Sequence, residues 1–298
     1  MRRLIAPLAA LLVLTAGCAP ASTGTLGPAP AGAGPTTAAQ PTGTAPGTPA
    51  GAPSPGRRTP SAPAPSSAAT PVADGTITVQ LWFIRGGKLV PARRTLPATL
   101  ATSRAALSEL AAGPSLAETA TGMTSLVPPG AQVSRIVGQV ATLVTPAGFD
   151  TGGAATVRFR RAQVVWTLTQ FPTVRRVAFT STDTGPTGRD DYTDLLPPIV
   201  VTGPSIGDRL TSPVTVTGTA DVFEATVSVR VLDGAGREIG TGFTVATCGS
   251  GCRGDYRISV RYRRATAGPG TIEVYEVSAL DGSRINSVAV PVVLAATG

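Results

Sequence analysis

Apolar and polar positions begin to alternate at Thr76 and continue to Arg85 (TITVQLWFIR), the period of a strand that buries one face. Gly86-Gly87 follows as a two-residue turn and residues 89–96 alternate again, so the pair predicts a β-hairpin. The period then changes. Ala106, Leu107, Leu110 and Ala111 form an apolar stripe at helical spacing behind a capping Thr102 or Ser103, and Gly113-Pro114 stops it. Beyond a Pro128-Pro129-Gly130 loop, residues 133–137 and 140–144 read as strands joined near Gly138-Gln139. Residues 155–171 read as a second helix ended by Pro172, and 174–180 as a last strand. The order β-β-α-β-β-α-β predicts an α+β layer over residues 74–183, with both helices on one face of a sheet.

The second helix breaks the single-stripe rule for surface helices. Phe159, Ala162, Val165 and Trp166 share one side, while Val164, Leu168 and Phe171 fall roughly opposite. Either loops cover that second face, or a protein contact is made there through Val164, Leu168 and Phe171.

A polar, acidic connector (184–196) leads to a region with a different rhythm. From Pro197 onward, short strand-like runs are separated by Gly207-Asp208, Asp233-Gly234, Gly268-Pro269-Gly270 and Asp281-Gly282. Ala225, Val227, Val229 and Val231 alternate with Thr226, Ser228 and Arg230. Such spacing predicts an all-β immunoglobulin-like sandwich over 197–298.

Ahead of these domains the pattern carries no core. Arg2 and Arg3 precede a short apolar stretch, Leu4 to Leu14, too short for a spanning helix. Leu14-Thr15-Ala16-Gly17-Cys18 is similar to the bacterial lipobox, which implies a signal peptide over 1–17 and lipidation of Cys18. Residues 18–73 collapse to Ala, Pro, Gly, Thr and Ser, a composition that predicts a disordered tether averaging about 40 Å end to end. The expected location is the extracytoplasmic face of the cell membrane, with membrane lipid as the first partner.

Charge and residue counts narrow the chemistry. The formal net charge is +8, and Lys88 is the single lysine. A basic exported chain favours anionic headgroups or wall polymers over nucleic acid. There is no histidine, which excludes Ser-His-Asp and Cys-His catalysis and histidine-ligated zinc. Cys248 and Cys252 form an even pair suited to a structural disulfide. Glu224, Glu273 and Glu276 raise a glycosidase reading, against which stands structural pairing with arginines such as Arg230 or Arg257. Asp190, Asp191 and Asp194 lack calcium-loop spacing and read as a solvated hinge. Arg158, Arg160, Arg161, Arg175 and Arg176 are a possible anionic-polymer contact beside an ordinary solvated face. No catalytic residue, metal site or cofactor is expected.

Two resemblances add to this. Residues 106–115, Val127-Pro128-Pro129-Gly130 and the stretch from Gln163 to Pro172 (QVVWTLTQFP), followed by Val174-Arg175-Arg176-Val177, resemble the GerMN domain of sporulation and spore-germination proteins. Thr180 to Thr184 departs from the aspartate-glycine end that family often has. Residues 213–220, Val222-Phe223-Glu224-Ala225, 274–279 and Asp281-Gly282-Ser283 resemble the immunoglobulin-like domain of bacterial spore germination proteins, from which Cys248 and Cys252 depart. The resemblance implies extracytoplasmic, non-enzymatic modules, the first similar to ring-building folds of sporulation assemblies. The expected function is a membrane-anchored binding or assembly module, with an envelope protein or a second copy as partner. The alternative is a wall-polymer-binding protein that assists an envelope enzyme.

Overall fold

The computed structural model describes residues 75–297. The expected signal peptide (1–17), Cys18 and the 18–73 tether lie outside the described residues.

Strands β1 (Thr76–Arg85) and β2 (Lys88–Pro97) form the first hairpin, in register from Thr76↔Pro97 to Arg85↔Lys88. Gly86 and Gly87 both have positive φ, 57° and 70°, as a two-residue hairpin turn of this kind requires. Helix α1 (Thr102–Ala112) buries Ala106, Leu107 and Leu110. Its N-cap is Ala101, without a side-chain cap, so Thr102 and Ser103 lie inside the helix they were expected to cap. The short α2 (Leu116–Thr119) carries a full capping box between Ser115 and Glu118. Strands β3 (Gln132–Val137) and β4 (Val140–Val144) run antiparallel; α3 (Ala154–Leu168) then leads to β5 (Arg176–Phe179), parallel to β4.

This α+β domain differs from the expected single layer. Its strands divide between a β1–β2 pair and a β3–β4–β5 sheet, and α3 packs against members of both as well as α1. Residues 162–168 of α3 are buried on every side. Val164 and Leu168 are fully enclosed, and Phe171 is half-buried against the same core, so these three offer no free face for a protein contact. The physical reason is that the C-terminal half of this helix is interior rather than a surface element.

Polar residues on α3 have an equally definite task. β1 pairs with β2 along one edge only, leaving the N–H and C=O groups of Gln80 and Trp82 on the other. Gln170 closes Gln80 from both sides: its Oε1 accepts the backbone N–H at 2.8 Å, and its Nε2 donates to the backbone O at 2.7 Å. Thr167 Oγ1 accepts the Trp82 N–H at 3.2 Å, while Gln163 Nε2 donates to Trp82 O at 2.8 Å. Gln163 and Thr167 stand four residues apart in α3 and Gln170 three further on, in the turn that follows it, while Gln80 and Trp82 are two apart on the strand. Gln163 and Thr167 both serve Trp82 and Gln170 serves Gln80, so the end of α3 and the turn after it take the place of a third strand.

A 3-10 segment, Arg189–Leu195, follows, and Tyr192, Leu195 and Leu196 bury into the first domain's core. The segment is therefore held by its apolar residues, while Asp190, Asp191 and Asp194, expected in a solvated hinge, stay exposed. Asp191 accepts the Gly188 N–H at 2.7 Å, and Asp194 pairs with Arg158.

The second domain is a sandwich. β6 (Ile199–Gly203), β8 (Val214–Ala220) and β11 (Gly254–Val260) form one sheet, ordered β11-β8-β6. β7 (Arg209–Leu210), β9 (Thr226–Asp233), β10 (Glu238–Val245), β12 (Gly268–Val277) and β13 (Arg284–Leu294) form the other, ordered β10-β9-β12-β13-β7. Val216, Val227, Val229, Val231, Ile272 and Val274 meet in a buried apolar core. Gly218 is obligatory there: a Cβ would stand 1.9 Å from Val200 O.

Candidate functional site at the interdomain joint

The residues between the domains belong to both cores. In β6, Ile199 and Val201 point into the sandwich, while Val200 joins the buried cluster of the first domain. This alternation follows from the two-residue period of a strand covered on both faces. Ile206 packs against both clusters. Polar bridges reinforce the joint. Arg93 donates to Ser205 Oγ and pairs with Asp208 at 2.7 Å; Lys88 Nζ donates to Asp194 O; Arg253 donates to the carbonyls of Pro197 and Pro198.

A cavity of about 150 Å³ lies at this joint. Val90 and Met123 come from the first domain, Ile199 to Val201 from β6 and Ser287 to Val290 from β13. The β1–β2 turn brings Arg85 and Lys88 to its wall. Among the described residues, no carboxylate lies within ion-pair distance of the Arg85 guanidinium, although Arg93 and Arg94 in the adjoining strand both have one. Burial lowers the pKa of Arg85 below its ordinary value. A partly desolvated cation beside apolar walls is a binding determinant for an anionic group.

The backbone of β13 borders this cavity on its open side. Pro291 O accepts the Gly207 N–H and Val293 donates to Asp208 O, so odd-numbered residues of β13 direct their backbone groups away from β12. β7 meets β13 only at Val293 and Leu294. Ala289 thus presents its N–H and C=O groups at an edge with no strand partner among the described residues, while at Ser287 the alternation is interrupted by a register shift and by Asn286 at φ 52°. Pro291 fits the same geometry, because its missing N–H would point off the ladder.

The other expected site residues are dispersed. Arg160 is buried and donates to the carbonyls of Leu126, Phe149 and Thr151, so it supports loops rather than a polymer surface. Arg158 and Arg161 are paired with Asp194 and Asp150. Arg175 and Arg176 are exposed. The five arginines therefore do not form one free basic patch. Glu273 pairs with Arg230, and Glu276 is buried, accepting from Phe223 N and Asn286 Nδ2. Both carboxylates are engaged in structural bonds.

Cys248 and Cys252 are bonded, with Cα atoms 5.7 Å apart. Their loop is pinned to the segment before β9: Ser250 Oγ accepts the Glu224 N–H, and Gly251 N donates to Asp221. Tyr256 and Tyr262 are buried and hydrogen-bonded, leaving them unavailable as ligand platforms. Phe243, which drew no attention in the sequence, is 72% exposed on β10. It stands opposite Ser228, which stands opposite Tyr275, so two aromatics share one row of the outer sheet face. Strand alternation in 238–245 was the signal that placed Phe243 outward.

Residues 72–183 match the family model described as sporulation and spore germination, and residues 198–283 match that of the immunoglobulin-like domain of bacterial spore germination. Among solved structures, the tandem GerMN domains of the sporulation protein GerM from Bacillus subtilis are 15% identical, over 63% of this chain and 62% of that chain, with a TM-score of 0.34. The chain thus spans 62% of the length of that structure. The first GerMN domain of the same protein is 23% identical over 38% of this chain and 93% of its own, at a TM-score of 0.30. CopC from Methylosinus trichosporium OB3b is 15% identical over 34% of this chain and 96% of its own, at 0.24. No curated protein matches the chain.

Proposed function

We propose that this chain, which joins a domain of the sporulation and spore germination family to an immunoglobulin-like domain of bacterial spore germination, is a membrane-anchored, extracytoplasmic, non-catalytic binding module. Its partner is an envelope protein that docks at the joint between the domains. The observation carrying this reading is the joint: an apolar cavity with a partly buried Arg85 at its wall that has no carboxylate partner among the described residues, and beside it a strand edge that no other described strand covers. A lipid on Cys18 and the 18–73 segment set the distance from the membrane at which such a partner is met.

A photocrosslinking residue at exposed Ser287 in cells is expected to capture an envelope protein. Cys18→Ser is expected to release the protein from the membrane fraction with both domains folded. A Cys18→Ser form that stays membrane-bound overturns the anchor, and absence of any adduct at Ser287 overturns docking at the joint.

The Phe243–Ser228–Tyr275 row favours a second reading, in which the outer face of the sandwich binds wall polymer. Retention on purified cell wall that is unchanged by Phe243→Ser rejects it.

A further inference from the structure

We propose that the joint takes the C-terminal end of an extended peptide, and this proposal rests on the binding-module reading above. Peptide backbone pairs with Ala289 on the open side of β13, the last side chain fills the cavity, and the terminal carboxylate is held by Arg85 and Lys88.

Three separate features converge on this ligand. The cavity, about 150 Å³, has the size of one that accommodates a benzene-sized group. It fits one Val, Leu or Phe side chain. Arg85 has no carboxylate partner among the described residues, and Lys88 Nζ donates to the Asp194 carbonyl, its charge also reaching the Asp194 carboxylate that Arg158 already pairs. Together they present two cations to a single anion at the wall of an apolar cavity, where a charge-assisted bond is at its strongest. The strand edge supplies the third feature. The donor and acceptor of Ala289 on β13 pair with another extended backbone, with side chains alternating into and out of the groove. A sugar or acyl carboxylate uses the cations but not the edge; a peptide terminus uses all three.

The test is a titration of the isotope-labelled full chain in detergent micelles with two pools of acetylated pentapeptides ending in Ala, Val, Leu or Phe. One pool carries free carboxylates, and the other carries terminal amides. The free-acid pool is expected to shift the Arg85 and Ala289 amide signals and to bind about tenfold or more tightly than the amidated pool. Arg85→Gln is expected to reduce that discrimination to about twofold or less while the core signals keep their positions. Ala289→Pro, which removes an N–H from the open side as Pro291 already does, is expected to abolish binding of both pools. Equal affinity for the two pools overturns the proposal. Butanoate reproducing the Arg85 shift with Ala289 unmoved assigns the site to free carboxylates and also overturns it. Crosslinking at Ser287 separates the two levels: adducts without terminal discrimination sink the peptide terminus alone, and no adducts sink the binding module itself.

Discussion

In the first domain, the open edge of β1 is closed by side chains from a helix, whereas in the sandwich every central strand is closed by another strand. Gln163 and Thr167 are fully buried in that role, and Glu118 and Arg160 are buried with them. The sandwich encloses only Ser228 and Glu276 among comparable polar groups. A sheet completed by backbone tolerates sequence change wherever the apolar face is kept. One completed by side chains depends on a few residues spaced to match the strand, and it fails locally when one is lost.

Gln163→Leu is the sharpest way to break this contrast. It leaves the buried Trp82 O and the part-buried Leu126 N without their partner, at a cost of about 1–3 kcal/mol for the first and less for the second. The first domain should lose about 3 kcal/mol in denaturant unfolding. Both tryptophans, Trp82 and Trp166, lie in that domain, so their fluorescence reports it selectively. A loss below about 1 kcal/mol would show that the helix closes the edge sterically rather than by hydrogen bonding.

The same contrast explains what could be read in advance. The hairpin and the sandwich strands were legible because a period of two and turn glycines are local signals. The role of α3 was not: Gln163, Thr167 and Gln170 mean little until the backbone edge they meet, more than eighty residues earlier, is known. Val164 and Leu168 looked like a spare apolar face for that reason. The cavity was hidden in the same way, since its wall draws on residues 85–91, 197–206 and 287–290. Arg85 is one of 25 basic residues, and composition gives no means of selecting it.

Replacing Cys248 and Cys252 with Ser tests the other side of the comparison. Closing so short a loop restricts few unfolded conformations, and its loss should cost the sandwich about 2 kcal/mol. The tryptophan transition should keep its midpoint while circular dichroism shows the sandwich melting earlier. Equal shifts in both signals would mean that the domains unfold as one unit.

Acid should act visibly on the first domain through Glu118. Burial pushes this carboxyl up, but the two-pronged bond from Arg94 and the Ser115 N–H outweigh it and hold the pKa below the usual carboxylate range. A group depressed in the folded state contributes stability that is fully present above its unfolded pKa, about 4.3, and is lost as pH falls through the lower folded value. Tryptophan-monitored stability should therefore fall below about pH 4, and Glu118→Gln should flatten that fall. A profile unchanged by Glu118→Gln would assign the acid sensitivity to other carboxylates.

The smallest expected effect concerns whether the two domains remain separate cases. Arg93 joins β2 to Ser205 and Asp208, but its side chain is 42% exposed and that of Asp208 35%, so the pair is screened by solvent. Arg93→Met should cost about 0.5–1 kcal/mol at most. Its direct stability effect is small because Val200, Leu195, Leu196 and Ile206 still bury the joint after the ion pair is gone. The informative readout is the separation between the tryptophan and circular-dichroism midpoints. If apolar burial holds the domains together, that separation should be the same in Arg93→Met as in the parent chain. A widened gap would place the coupling in the polar bridge instead, and the joint would then loosen with salt, because exposed ion pairs are screened and buried valines are not.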